Sequence, residues 1–431
     1  MSELAYNETL SCVQCGYCLP TCPTYVSFKK ETHSPRGRIN LVKMAAEGKI
    51  TYDDMEEAIN LCLGCRACET ACPTNVQYGK ILESAIDAIA KHKNEQLKSR
   101  VKVVKSFLFN TVVPSNNIRQ VLGAGLAMYQ KSGLQKVAQK TGVLNILPEN
   151  LHAFEAILPK VEGPLKRSKR QLVYVPEVEA TVKPLKVGFF IGCIMDTMFS
   201  SINTLSMKLL QQAGCHVTVI KEQGCCGALH QHSGFSDTTK QLAKRNIEAF
   251  EKYDFDYIVN SIGGCGAMLS EYPHLFKGDT TWLDRAKAFT AKSVDISVIL
   301  GQLTIPFKNE LTYRVTYQPS CHMTNVQKRV NEPLQLIKSV PGIQFNPLPE
   351  AHMCCGSAGI YNIVNYAHSM KVMDEKMKHV KQLAVQPDVI VTTNPGCHLQ
   401  MKLGVERENL GNEIKVVHIV ELLAEACGIE A

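Results

Sequence analysis

Apolar residues recur at helical spacing through the first quarter of the chain. Ile39, Leu41, Val42 and Ala45 give one face of a helix predicted over Arg36–Ala46, opened by Ser34-Pro35. Asp53–Leu61 predicts a second helix. Tyr78–Lys93 predicts a third, with Ile81, Leu82, Ala85, Ile86 and Ile89 on its stripe. From residue 96 to about 160 the period stays helical, strongest over Val101–Val113 and Ile118–Tyr129, with breaks at Pro114 and around Pro148. Glu162–Pro184 contains Gly163, Pro164, Pro176 and Pro184 and predicts a linker.

Beyond residue 184 the pattern changes to alternating strand and helix. Phe189–Ile191, Val217–Ile220 and Tyr257–Asn260 predict strands, and Asn203–Gln212 a helix ending at Gly214. This alternation predicts a parallel sheet covered by helices. The region also repeats. K-V-G-F-F-I-G-C, ending at Cys193, matches Y-R-V-T-Y-Q-P-S-C, ending at Cys321. G-C-C-G matches M-C-C-G, and D-Y-I-V-N-S-I-G-G-C matches D-V-I-V-T-T-N-P-G-C. Matching cysteines lie 128, 129 and 132 residues apart, so two cores stand in tandem. Both copies close on an apolar segment, Val294–Leu300 and Val416–Leu423. The expected fold is α+β and multidomain: a helix-rich module over 1–95, a helical connector and linker over 96–184, and two α/β units over 185–305 and 310–431.

Composition narrows the function. Hydrophobic residues make up 45% and charged residues 20% of 431, which suits a globular protein. The net charge is +7, yet the basic residues look scattered; the one dense run, Lys166, Arg167, Lys169 and Arg170, reads as a solvated part of the linker. No nucleic-acid partner is expected, for want of a basic face with a reader motif. No stretch is long and apolar enough for a membrane span, and Met1–Leu10 lacks a secretory pattern. The expected location is the cytoplasm, with peripheral attachment to the cytoplasmic face of the membrane left open.

The chain has 18 cysteines, and without a secretory signal they point to metal before disulfides. Cys12, Cys15, Cys18 and Cys22 are followed by Pro23; Cys62, Cys65, Cys68 and Cys72 are followed by Pro73. Both runs read C-x2-C-x2-C-x3-C-P, the spacing that wraps three thiolates around three corners of one cubane cluster and sends the fourth to its neighbour. One [4Fe-4S] cluster is therefore expected on Cys12, Cys15, Cys18 and Cys72. A second is expected on Cys62, Cys65, Cys68 and Cys22. Zinc would favour separated Cys pairs.

In the repeat, every cysteine follows a predicted strand, at the end of a parallel sheet where ligands bind. Cys193, Cys225, Cys226 and Cys265 form a candidate third site, and Cys321, Cys354, Cys355 and Cys397 a candidate fourth, for a further iron–sulfur cluster or metal. Gly227 and Gly356 allow close backbone approach. The rival reading is a set of buried thiols packing as small hydrophobes. His322, His352 and His398 stand near these cysteines as extra candidate ligands. Cys215 and Cys427 do not repeat and are expected to be structural or exposed thiols.

The tandem Cys-Cys-Gly pattern resembles the cysteine-rich (CCG) domain of heterodisulfide reductase subunits. The order of two ferredoxin-type runs and two such domains resembles the iron–sulfur subunit of glycolate oxidase, as does the S-P-R-G-R-I segment, Ser34–Ile39. The chain is also similar to iron–sulfur subunits of lactate-utilisation systems and of anaerobic glycerol-3-phosphate dehydrogenase. The resemblance implies an electron-transfer subunit of an oxidoreductase complex, with FAD-containing partner subunits, oxidation of glycolate to glyoxylate, and a quinone or other membrane acceptor. It implies no catalytic residue on this chain, which has no dinucleotide fingerprint in the right context. A departure is that Ile262 and Asn394 stand where heterodisulfide reductase catalytic subunits have a further Cys. That speaks against a catalytic, disulfide-reducing role. A third reading makes the clusters structural and the chain a recruiting module.

Overall fold

The computed structural model describes residues 4–96, 103–104, 106–163, 166–167, 169–176 and 184–431. The start of the Val101–Val113 stretch and parts of the Glu162–Pro184 linker lie outside them.

The N-terminal helices form where the sequence places them. Pro35–Ala46 starts at Ser34, whose hydroxyl accepts from Gly37 N at 2.9 Å, with Pro35 in the first turn. Tyr52–Asn60 starts at a Thr51/Asp54 capping box. Tyr78–Gln96 packs across both. Ile39, Val42, Met55, Ile59, Ile81, Leu82, Ala85 and Ile89 make their shared core.

The connector is broken more often than its apolar period suggests. Ile118–Tyr129 lies inside a longer helix, Asn116–Lys131. The chain then turns at Gly133 and Gly142, both left-handed, on either side of the helix Leu134–Thr141. The linker is also anchored more firmly than a solvated run would be. Arg170 forms a largely buried ion pair with Asp196, and the strand β1 (Val173–Tyr174) joins a sheet.

That sheet contains β2 (Leu185–Phe189), β3 (Cys215–Val219), β4 (Tyr257–Asn260) and β5 (Ser293–Asp295), in the order β1-β3-β2-β4-β5. Only β1 runs antiparallel. The second sheet has β6 (Arg314–Gln318), β7 (Gln344–Phe345), β8 (Val389–Thr392) and β9 (Lys415–His418), all parallel, in the order β7-β6-β8-β9. With β1 set aside, the two copies share one strand order. Val389–Thr392 is buried throughout, as a strand covered on both faces requires. β2 ends two residues before the predicted Ile191, because the chain leaves the sheet through Gly192 in a left-handed turn. β3 begins earlier than predicted and carries Cys215 into the core.

One hydrophobic core runs through both copies, from Val187, Phe189 and Val259 to Val315, Val391 and Leu423. The helix Ser200–Gln212 of the first copy packs on Ile419–Ala426 of the second. Cys215 and Cys427 are fully buried in this core, on the structural side of the expectation.

Candidate iron–sulfur sites

The two N-terminal cysteine runs ring two adjoining cavities. Cys12, Cys15, Cys18 and Cys72 line one, with Ile39, Val76 and Tyr78. Cys22, Cys62, Cys65 and Cys68 line the other, with Thr24, Arg38 and Tyr78. Cys68 borders both. The fourth cysteine of each run thus lines the other run's cavity, Cys72 the first and Cys22 the second. The first cavity is the outer one, with Cys15 exposed; Cys22, Cys65 and Cys68 of the second are buried. Among the described residues no group of three or more His, Cys, Asp or Glu side chains is arranged to hold a single metal ion.

Donors to sulfur line these cavities. Cys72 accepts from Val76 N at 3.5 Å and lies 3.4 Å from the Thr74 hydroxyl. Burial pushes its thiol up, but these donors outweigh burial and hold its pKa below the usual value. Gly64 N reaches Cys62 Sγ at 3.4 Å, and Tyr78 OH lies 3.3 Å from it. Burial pushes the Cys18 thiol up to about 11.

The Ser34–Ile39 segment supplies cations to both cavities. Arg36 reaches Gln14 O at 3.1 Å on the first cysteine loop and Glu31 at 2.7 Å. A Cβ on Gly37 would stand 2.0 Å from Glu31 O, so only glycine fits there. Arg38 is buried and donates to Ala58 O at 2.6 Å and Thr24 Oγ1 at 3.1 Å, with Cys22 Sγ 4.0 Å away. Burial works against its charge, but Cys62, Tyr78 and Cys22 outweigh that and raise its pKa. Among the described residues no carboxylate forms an ion pair with Arg38. A buried guanidinium without a carboxylate is costly unless another anion stands beside it. Four thiolates around an iron–sulfur cluster fit that need.

The repeated cysteines also converge. In the first copy Cys193, Cys225, Cys226 and Cys265 form a chain of neighbouring thiols, with Cys193 Sγ 3.2 Å from Cys225 Sγ. In the second, Cys321, Cys354, Cys355 and Cys397 repeat the chain. Hydrogen bonds between neighbouring thiols and burial raise Cys193, Cys225, Cys226, Cys265, Cys321, Cys354 and Cys355, the Cys225 thiol to about 12. Without a metal those seven thiols would stay protonated at neutral pH. Each set has one buried cation beside it. Arg119 of the connector lies by Cys193, and Lys376, fully buried, lies by Cys355 and Cys354. Burial pulls Lys376 down to about 8. Lys376 donates to Glu350 O at 2.7 Å, and among the described residues no acid forms an ion pair with it.

The extra cysteines missing from the repeat are replaced by packing. Ile262 is buried against Gly192, and Asn394 accepts from Gly264 N of the other copy at 3.0 Å. The three candidate histidines have partners elsewhere. His322 contacts Gly64 O at 3.1 Å, His352 pairs with Glu350 at 3.1 Å, and His398 packs edge-on against Phe199.

The second thiol set abuts the inner ferredoxin-type loop. Cys65, Cys354 and Cys321 belong to one apolar cluster with Leu61, Leu63 and Tyr361. Asn325 Nδ2 donates to Cys65 O at 2.8 Å, and Tyr361 OH to Leu61 O at 3.4 Å. Sequence reasoning missed Arg38, Arg119, Asn325 and Lys376. Of these only Arg38 had a local signal, within the Ser34–Ile39 segment flagged by resemblance.

Residues 8–76 match the 4Fe-4S dicluster domain, and residues 187–270 and 315–402 the cysteine-rich CCG domain. Residues 100–158 match the linker region of the glycolate oxidase iron–sulfur subunit. The chain is 47% identical to a probable glycolate oxidase iron–sulfur subunit of Bacillus subtilis over 98% of this chain and 95% of that one. It is 27% identical to the glycolate oxidase iron–sulfur subunit of Escherichia coli over 91% and 89%. Lactate utilization protein A of Geobacillus thermodenitrificans matches at 34% over 56% of this chain and 98% of its own. With the cysteine cavities, their buried cations and this end-to-end likeness together, the chain belongs to the glycolate oxidase iron–sulfur subunit family.

Proposed function

We propose that this chain is the electron-carrying subunit of a flavin-dependent 2-hydroxy-acid oxidase complex, with glycolate as the donor, glyoxylate as the product and a membrane quinone as the acceptor. FAD and the substrate site belong to partner subunits in this reading. Bound [4Fe-4S] clusters would accept electrons singly, which lets a two-electron flavin oxidation feed one-electron carriers. The residues proposed to hold them are Cys12, Cys15, Cys18 and Cys72, and Cys62, Cys65, Cys68 and Cys22. The sets Cys193, Cys225, Cys226, Cys265 and Cys321, Cys354, Cys355, Cys397 would hold further clusters.

The observation that carries the proposal is the contact between Cys65 and the Cys321/Cys354 pair. It makes the inner ferredoxin-type site and the second CCG site neighbours, as a relay requires. The chain's own residues do the rest. Arg38, Arg119 and Lys376 offset negative charge at the sulfurs. Asn325, His322 and Tyr361 hold the second CCG unit against the Cys62–Cys68 loop. Thr74, Val76, Gly64 and Tyr78 set potentials through hydrogen bonds or close polar contacts to sulfur.

The likeness to lactate utilization protein A favours lactate as a second reading for the donor. The test combines the chain, purified without oxygen, with its flavin partner. Glycolate should bleach the iron–sulfur absorbance and raise a reduced-cluster EPR signal within the assay's turnover time. If lactate alone does so, the donor is lactate. If neither does, while dithionite reduces the clusters, the electron-transfer role in this complex is wrong.

A further inference from the structure

The basic residues look scattered along the chain, but their balance against acids does not. From Gln96 to Pro148 there are eight Lys and Arg and no Asp or Glu. The rest of the chain carries 39 basic against 40 acidic residues, so this connector holds the whole positive excess. Lys98, Arg100, Lys102 and Lys105 lie outside the described residues. Arg119 is buried, while Lys131, Lys136 and Lys140 are exposed.

The same stretch exposes large apolar side chains. Val121, Leu122 and Met128 share the outer face of the helix Asn116–Lys131 with Gly125. In the helix Leu134–Thr141, Gln135 and Gln139 turn to Glu155, at 3.0 and 3.2 Å. Leu134 and Val137, three apart, are left in solvent on one face, with the exposed Lys136 and Lys140 beside them. Val143, Ile146 and Leu147 follow on the next turn, Ile146 being 84% exposed. A water-facing helix pair has no use for such residues at these positions. Among the described residues no helix is long and apolar enough to cross a membrane.

We propose that this connector face is a membrane-surface anchor that seats on an anionic lipid bilayer, with Leu134, Val137, Ile146 and Met128 entering the interface and Lys131, Lys136 and Lys140 meeting lipid phosphates. Exposed apolar residues flanked by lysines, with no acid over the whole stretch, match an interfacial anchor and the charge of an anionic surface. A protein partner, the other occupant such a face could have, is an outcome that the test below distinguishes. The inference deepens the quinone-linked reading of the function, because the anchor would hold the chain at the acceptor's membrane.

The test uses the full chain with its clusters, purified without oxygen and spun down with vesicles of phosphatidylcholine alone or mixed with phosphatidylglycerol. It has no redox readout, so its failure leaves the electron-transfer reading standing. Binding is expected to the mixed vesicles, to weaken as salt rises, and to be slight on phosphatidylcholine alone. Replacing Lys131, Lys136 and Lys140 by Glu should weaken it by on the order of a hundredfold or more, at about fivefold per lysine removed. The variant Leu134→Glu/Val137→Glu should also lose binding, while cluster absorbance and melting temperature stay unchanged. Equal binding by all variants, or none by the parent chain, would overturn the proposal. So would loss of the flavin partner in the Leu134→Glu/Val137→Glu variant without any vesicle binding by the parent chain, which would assign the face to a protein.

Discussion

Replacing Arg38 by Met tests how the inner ferredoxin-type site handles charge. Arg38 lies in the same cavity as Cys22, Cys62, Cys65 and Cys68, with its guanidinium 4.0 Å from Cys22 Sγ. A unit charge at that distance, in a medium of effective dielectric ~20, interacts by about 4 kcal/mol. An electron added to a cluster spreads over its atoms, so roughly half of that, about 2 kcal/mol or ~90 mV, is the expected change. Removing the cation disfavours the extra electron, so Arg38→Met should lower one cluster's reduction potential by about that amount. Arg38→Lys keeps the charge and loses the bonds to Ala58 O and Thr24 Oγ1, at 2.6 and 3.1 Å. It should leave the potential within ~30 mV of the parent but cost about 1–3 kcal/mol of stability. The assay is an EPR-monitored redox titration beside a chemical denaturation curve. If both variants shift the potential equally, or Arg38→Met shifts none, electrostatic support by Arg38 is refuted.

Lys376→Met should lower the potential of a cluster in the second CCG site in the same titration, or lower its iron occupancy, while leaving the ferredoxin-type signals in place. Cys18→Ser should cost the chain about four irons by chemical analysis. Gly37→Ala should destabilise the N-terminal module by about 3 kcal/mol or more in denaturant, since its Cβ would meet Glu31 O at 2.0 Å. His418 caps the last helix through Nδ1, which accepts from Val420 N at 3.2 Å, and burial holds its pKa down to about 3. The unfolded chain binds that proton more readily, so this contribution is whole above the unfolded pKa near 6.5 and is lost on acidification towards 3. Between pH 6.5 and 5 the loss is about 2 kcal/mol; His418→Asn, which keeps a cap acceptor, should flatten that part of the stability profile.

What the sequence announces and what it conceals divide along the range of the interactions. Tyr257–Asn260 appears as predicted because a short apolar run between turns needs only its own residues. The N-terminal helices follow their stripes and caps in the same way. The crossing of Cys22 and Cys72 to opposite cavities is also local, fixed by loop spacing. By contrast, Arg38 and Lys376 look like ordinary helix-surface residues in one dimension. Their burial beside thiols comes from packing against segments 20 or more residues away. Asn325 meets Cys65 across 260 residues, and no short motif signals it. The basic run at Lys166–Arg170 read as solvated linker because charge density alone could not reveal Asp196 as the partner of Arg170.

The four thiol sets, the buried cations beside three of them and the docking of Cys321 and Cys354 on the Cys62–Cys68 loop all point to iron. The most direct check is metal analysis joined to EPR on the full chain purified without oxygen. Expected are ~8 irons per chain from the ferredoxin-type sites, more if the CCG sites are filled, and interacting reduced [4Fe-4S] signals after dithionite. A folded, colourless protein with no iron and no EPR signal would contradict it.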